Sequence, residues 1–231
     1  MIVTLCTPTC NRRKFIPTMI KCIENQTYPK DAIEWIILDD GEDKIFDLVC
    51  HIPYVRYYSV AKMKLGEKRN LIHKYSKGEI LIYIDDDDYY PPERIQRAVD
   101  TLCSNKELCV GSSIMNVYFT DLDKIYQLGP YGKYHSTAAT LGFKRELLNK
   151  TGYNDNDTYA EEKFFLKKWT IPLIQLDTKE TILVISHNKN TIDRKRLLES
   201  PLAIETDYTL GDFVKDPGIQ LFYEHLSDDS K

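Results

Sequence analysis

The sequence predicts an α/β fold, a single doubly wound mixed sheet flanked by helices. Three observations predict it. Short apolar runs alternate with segments of helical periodicity over the first hundred residues. Several of these runs end in polar or acidic residues, and in an open α/β sheet the carboxyl ends of the strands are where ligands bind. One run, Ile80-Leu81-Ile82-Tyr83-Ile84, is apolar throughout and reads as a central strand buried on both faces.

The elements follow in order. Residues 2–6 read as a strand ended by Thr7-Pro8-Thr9. Asn11 is placed to cap a helix over about 14–25, where Phe15, Ile16, Met19, Ile20 and Ile23 share one face. A second strand, residues 34–38, runs into Asp39-Asp40-Gly41. A short helix about 44–50 leads to a third strand at 55–58, and 66–76 reads as a helix ended by Lys77-Gly78. The central strand then meets Asp85-Asp86-Asp87-Asp88, Pro91-Pro92 opens the next helix, and that helix covers 93–102.

After this the rhythm changes. A strand at 108–113 precedes a hairpin, 116–119 and 125–128 around Thr120-Asp121-Leu122-Asp123. Residues 129–143 read as loop, 144–150 as a short helix, and 159–169 as an amphipathic helix. A late strand, 181–185, runs into Ser186-His187-Asn188, and from about Asp193 the pattern mixes helix and turn.

At 231 residues the chain suits one large α/β domain, or one domain with a tail. A formal charge of −4 offers no general attraction to nucleic acid or to an acidic membrane surface. Six cysteines without a CxxC pair read as buried thiols of a reducing compartment. No signal segment and no window of roughly 20 apolar residues is present, so the expectation is a soluble, cytoplasmic protein.

The acidic run carries the chemistry. Four adjacent carboxylates at the end of a buried strand repel one another and are costly to desolvate, so a cation should compensate them. In an extended segment Asp85 and Asp87 share one side, and two hard oxygen ligands suit Mg²⁺ or Mn²⁺ bridging to a phosphorylated ligand. His187 follows an apolar strand and is a candidate third ligand, which would favour Mn²⁺. The bland alternatives are a solvated acidic turn and a hydrogen-bonded histidine at a strand end. The ten glycines never form GxGxxG or GxxxxGK[ST], so diphosphate charge would have to be met by metal and by Arg or Lys.

Several segments together carry a resemblance. Thr7-Pro8-Thr9-Cys10-Asn11-Arg12, Asn25-Gln26-Thr27-Tyr28 and Leu38-Asp39-Asp40-Gly41 resemble the opening of family 2 glycosyltransferases with the GT-A fold. Gly66-Glu67-Lys68-Arg69-Asn70, Gly78-Glu79 and the Asp85–Asp88 run are similar to that family's core. Phe143–Leu148, Gly152-Tyr153 and Glu161–Leu166 resemble its acceptor-side segment.

The resemblance spans about 1–190, in the family's order. It implies a nucleotide-binding half at about 1–105, an acceptor-side half at about 106–190, and 191–231 as an extension of the same domain. It further implies that Thr7, Pro8, Thr9, Asn11, Arg12, Asp39 and Asp40 belong to the donor site. Asp39 would accept from a uracil imide, and Arg69 would neutralise phosphate or brace the base. Asp85 would contact ribose, with Asp86 beside it, and Asp87 would hold the metal. Glu162 would be the base for the acceptor hydroxyl, with Glu161 as the other candidate. Cys10 stands where the family has an aromatic, and Glu replaces Asp in the acidic pair.

The implied activity is metal-dependent, inverting transfer of a hexose from a UDP-sugar to a glycan, protein or lipid-linked acceptor. Tyr126, Tyr131, Tyr134 and Trp169 are candidates to stack on a sugar ring, against the commoner role of aromatics in packing. Two rivals are a nucleotidyltransferase making sugar nucleotides, which would want a glycine-rich loop after the first strand, and a catalytically silent binding module. The apolar residues of the tail would cover the acceptor cleft or join a dimer.

Overall fold

A computed structural model describes residues 1–188, 190 and 194–227. In chain order the elements are β1 (Val3–Thr9), α1 (Ile16–Glu24), β2 (Ile33–Asp39), α2 (Phe46–Val49), β3 (Val55–Ser59), α3 (Leu65–Tyr75), β4 (Ile80–Tyr83) and α4 (Arg94–Ser104). Then follow β5 (Cys109–Gly111), β6 (Met115–Phe119), β7 (Lys124–Leu128), β8 (Gly142–Lys144), α5 (Glu162–Phe165), β9 (Leu173–Gln175), β10 (Leu183–Ser186), β11 (Ala203–Glu205), α6 (Leu210–Phe213) and α7 (Pro217–Glu224).

Among the described residues the strands form a seven-stranded sheet, β3-β2-β1-β4-β8-β5-β9. It is parallel except that β8 runs against both β4 and β5. The mixed α/β architecture read from the sequence is therefore present. The structure adds a second sheet, β10-β6-β7-β11, where a single one was expected. Its hairpin β6–β7 is the one signalled by Thr120–Asp123.

Alternation along β1 and β4 shows why the central sheet is covered on both sides. Val3, Leu5, Ile80 and Ile82 join one apolar cluster with Ile16, Trp35, Ile95 and Val117. Cys6, Leu81 and Tyr83 join the opposite cluster with Ile72, Phe143 and Phe165. Each central strand thus buries both faces, at roughly 25 cal/mol per Å² of apolar surface removed from water.

Three local expectations are corrected. Asn11 does not cap α1; at φ 55° its Oδ1 accepts the amides of Glu42 and Asp43 at 2.7 and 3.1 Å. Asparagine tolerates this left-handed conformation, and its short side chain serves the facing loop instead. The helix expected over 159–169 is only Glu162–Phe165. It unwinds where Lys168 N bonds Lys163 O, through Lys167, Lys168 and Trp169 at φ 49°, 55° and 65°. Cys50 and Cys103 are exposed and Cys10 half-buried rather than buried, although all six cysteines are free and Cys6, Cys22 and Cys109 are buried.

Part of the described tail is core. Leu210, Phe213, Ile219 and Tyr223 pack with Phe15, Tyr89, Tyr118 and Ile185 in a third cluster. Asp193, where the mixed pattern was read to begin, lies outside the described residues. No helix among the described residues is long and apolar enough to cross a membrane.

Candidate active site

The site gathers at the carboxyl ends of β1 and β4. Thr7 Oγ1 accepts from Trp35 Nε1 at 2.9 Å and donates to Ile84 O at 2.8 Å, so it ties the two strand ends together. Thr9 Oγ1 donates to Asp86 Oδ2 at 2.6 Å. Arg12 reaches over the same corner, 3.7 Å from Asp86 and 3.5 Å from Asp87.

The acidic run does not continue the strand. β4 ends at Tyr83 and Asp86 to Asp88 bend, so the alternation expected of an extended segment does not hold. Asp85 lies 3.7 Å from Arg69. Asp87 meets His187 Nε2 at 3.2 Å and Asn190 Nδ2 at 3.3 Å. Asp88 Oδ1 accepts the amide of Ile185 at 2.9 Å, which fastens the run to the small sheet.

Their titration follows from this crowding. Burial, then the neighbouring Asp87 charge, pushes Asp86 well up and Asp88 up to about 8. Burial also raises Asp85 against the pull of Arg69. Asp87 goes the other way. Burial opposes it, but the hydrogen bond with His187 and the charges of Arg194 and Arg12 hold it below the usual carboxylate range. Asp87 is therefore the member of the run whose charged form its surroundings favour.

The Asp39–Gly41 turn is a different case. Asp39 accepts from Gly41 N at 2.8 Å and Ile45 N at 3.2 Å in its own loop and from Tyr57 Oη on β3 at 2.7 Å. Asp40 pairs with Lys68 and accepts from Met63 N at 3.1 Å. Burial pushes its carboxyl up, yet Lys68 and that amide outweigh it and the carboxyl is held low.

Arg69 links this edge to the acceptor-side segment. Its Nε sits 2.5 Å from Glu161 Oε1, and its guanidinium lies 4.3 Å above the Tyr83 ring. Glu161 is 2% exposed, while Glu162, one residue on at the start of α5, is half-buried. Burial, then the charge of Glu161, pushes the Glu162 carboxyl up to about 7. The two glutamates thus have different tasks open to them: one is sealed against an arginine, the other is poised to titrate near neutrality.

Between these walls lies a cleft of about 360 Å³ lined by Pro8, Thr9, Arg12, Arg69 and Asp85–Asp87, and also by Lys62, Lys68, Asn190 and Arg194. Cys10 sits at its rim, its Sγ 2.9 Å from Lys62 Nζ. Lys62, Lys68, Asn190 and Arg194 were not singled out in the sequence. Lys68 stands beside Arg69 in the Gly66–Asn70 segment, a signal present but unused. Neither Asn11 nor Asp39 lines the cleft.

A divalent cation is implied by the resemblance, and the residues can be tested against it. Among the described residues no three His, Cys, Asp or Glu side chains converge as a metal site. Asp87 and His187 do meet, and Asp85 Oδ1 is buried with no hydrogen-bond partner. One carboxylate oxygen and one imidazole nitrogen fit a site that phosphate oxygens and water complete, the habit of Mg²⁺ and Mn²⁺ at diphosphates.

Residues 4–170 match the model of glycosyl transferase family 2. The chain belongs to this family. An uncharacterized glycosyltransferase of Haemophilus influenzae is 25% identical over 109 residues, 46% of this chain and 36% of that protein. The poly(ribitol-phosphate) β-N-acetylglucosaminyltransferase TarS of Staphylococcus aureus is 27% identical over 97 residues, 39% of this chain and 17% of that protein. The chain thus spans well under half the length of these curated relatives.

Among solved structures, TarS residues 1–349 in complex with UDP-GlcNAc superpose with a TM-score of 0.67 at 18% identity, covering 82% of this chain and 60% of that one. The mannosyltransferase PcManGT of Pyrobaculum calidifontis, in complex with GDP-Man and Mn²⁺, gives 0.66 at 16% identity over 97% of this chain and 69% of that one. The family 2 chain has the GT-A fold of these neighbours.

Proposed function

We propose that this family 2 domain transfers a hexose from a nucleotide-sugar, a UDP-sugar by preference, to an acceptor hydroxyl with inversion. The observation that carries the reading is the cleft. Arg12, Lys62, Lys68, Arg69 and Arg194 stand around Asp85, Asp86 and Asp87 at the carboxyl edge of the sheet. Cations in such number at a strand-end cleft suit a diphosphate, and the carboxylates among them suit a metal-bridged one. The neighbours' complexes, with UDP-GlcNAc and with GDP-Man and Mn²⁺, support the same class of donor.

The proposed division of labour follows the halves of the chain, about 1–105 for the donor and about 106–190 for the acceptor. Arg12, Lys68 and Arg69 hold the diphosphate and offset the charge that builds on the leaving oxygens as the anomeric bond breaks. Asp87 and His187 would hold Mn²⁺ or Mg²⁺, which when bound adds Lewis-acid stabilisation of that leaving group. Asp85, with Asp86 beside it, faces the ribose. The Thr7–Asn11 loop takes the base side, where Asp39 keeps the turn at Gly41 in shape. A direct bond from Asp39 to the base would need one of its three present donors to let go.

On the acceptor side Glu162 removes the hydroxyl proton as the oxygen attacks the anomeric carbon. Its carboxyl near 7 is matched to that task. Glu161 positions Arg69. One base and one displacement invert the centre.

Calorimetric titration with UDP, with and without Mn²⁺, on wild type and Asp87→Asn tests the reading. Metal-dependent binding lost in the variant is expected. If UDP fails where GDP binds with metal, the donor preference is wrong. If no nucleotide binds, the reading falls.

A further inference from the structure

A second, roomier cavity lies elsewhere. About 830 Å³ open where β5 and β9 end, bounded by the start of β6, the end of β7 and the loop after the Gly129-Pro130 bond. It shares no lining residue with the donor cleft. β6 and β10 are parallel, with Asn116 opposite Leu183 and Phe119 opposite Ser186. Asn116 is thus at the end of the small sheet opposite His187, roughly 13 Å along the strands at about 3.3 Å per residue.

The lining has the chemistry of a site rather than of a packing fault. Asn116 is 1% exposed, and its Oδ1 has no hydrogen-bond partner. A buried amide oxygen left unpaired costs about 1–3 kcal/mol, so a native fold that keeps one invites a donor from outside. Thr178 Oγ1, on the same wall, is also buried without a partner. Gln127 adds a second amide, and Tyr131 offers a ring that is 37% exposed at the mouth.

The charged groups are turned to other work. Lys179 Nζ lies 3.7 Å over the Tyr208 ring and Lys133 Nζ 5.1 Å over the Tyr134 ring. Asp177 Oδ1 accepts the amide of Lys179 at 2.8 Å. What remains is amide, hydroxyl, the apolar side chains of Ile114, Pro130 and Leu176 and one aromatic face, a lining that suits an uncharged polyhydroxylated ring better than an anion.

We propose that this cavity binds a neutral stretch of carbohydrate chain, separate from the donor cleft, with Asn116 and Gln127 meeting hydroxyls and Tyr131 stacking on a ring. In a family 2 domain such a grip would hold an acceptor glycan some distance from the hydroxyl that reacts. Binding here needs neither nucleotide nor metal, so it stands or falls apart from the donor reading.

The test is an array of neutral oligosaccharides probed with the full chain in EDTA, followed by saturation-transfer NMR on the best ligand. Wild type and Asp87→Asn are expected to bind the same sugars equally. Tyr131→Ala and the near-isosteric Asn116→Leu should each lose about tenfold or more in affinity. UDP binding, measured on the same samples with Mn²⁺, should be unchanged in both cavity variants, which also shows that they fold. No bound oligosaccharide, wild-type affinity in Tyr131→Ala, binding of acidic polymers alone, or loss of sugar binding in Asp87→Asn would each overturn the proposal.

Discussion

Arg69 and Glu161 meet Nε to Oε1 at 2.5 Å, each all but sealed from solvent, and so join the donor edge to the acceptor-side segment. Removing one partner of a buried pair leaves the other charge uncompensated, at a cost of about 3–5 kcal/mol. Glu161→Ala should therefore lower the unfolding free energy by that amount in urea melts. Its neighbour should behave oppositely. Glu162→Gln is expected to keep a full-height melt while losing about 10²–10⁴ in kcat. Equal stability losses in the two variants would dissolve the distinction drawn between them.

The pH profile follows from Glu162, whose carboxyl is raised from 4.5 to about 7 by burial and by Glu161. A base works only when deprotonated, so the rate should climb with pH through about 7 and level off above it. The stability sign is the reverse. A raised carboxyl withdraws stability as pH rises from its unfolded value through the folded one. Glu162→Gln should thus be more stable than wild type at pH 8 and no longer show the inflection, by rate profiles and by melts at both ends of the range.

Lys68 and Asp40 give an acid-side prediction. Asp40 is held below its ordinary 3.8, so the stability it contributes is complete above that value and is lost as pH falls through the folded one. Lys68→Met should lower stability at pH 7 and flatten the acid limb. It should also weaken UDP binding, since Lys68 lines the cleft. An unchanged acid limb would show that the pairing carries no linkage.

Gly66 tests how the donor helix is seated. A Cβ there would lie 1.9 Å from Asn154 O, and the backbone behind it is anchored by Gly66 N to Asp157 O at 3.0 Å. Gly66→Ala should destabilise by about 1–3 kcal/mol through overpacking. Because the 154–157 loop leads to Glu161 and Glu162, kcat should fall further than donor affinity does.

Much of this architecture was legible in the chain. The alternation of Ile80–Ile84 with helical stretches, and the Thr120–Asp123 turn, led to the central sheet and to the β6–β7 hairpin. The second sheet was not legible, because β10 pairs with a strand far away in sequence and nothing local to Leu183–Ser186 marks its partner. Asp87 and His187 were both named, and the structure brings them together; Asp85 was named with them and goes to Arg69. That difference turns on a bend after Tyr83, which a run of four identical residues cannot announce. Lys62 and Arg194 were invisible because lysine and arginine on a surface segment look alike whether they face water or a cleft.

The described end of the chain packs behind the cation corner. Phe222 meets Phe15 edge-on at 5.9 Å, and Phe15 stacks on His187 at 4.6 Å. On the ribosome Asp87 emerges well before the segment that supports its imidazole partner. A nascent chain stalled before α7 would have its main sheet paired and its histidine still without that backing, so the corner that gathers Asp87 and His187 becomes rigid only once α7 has been made.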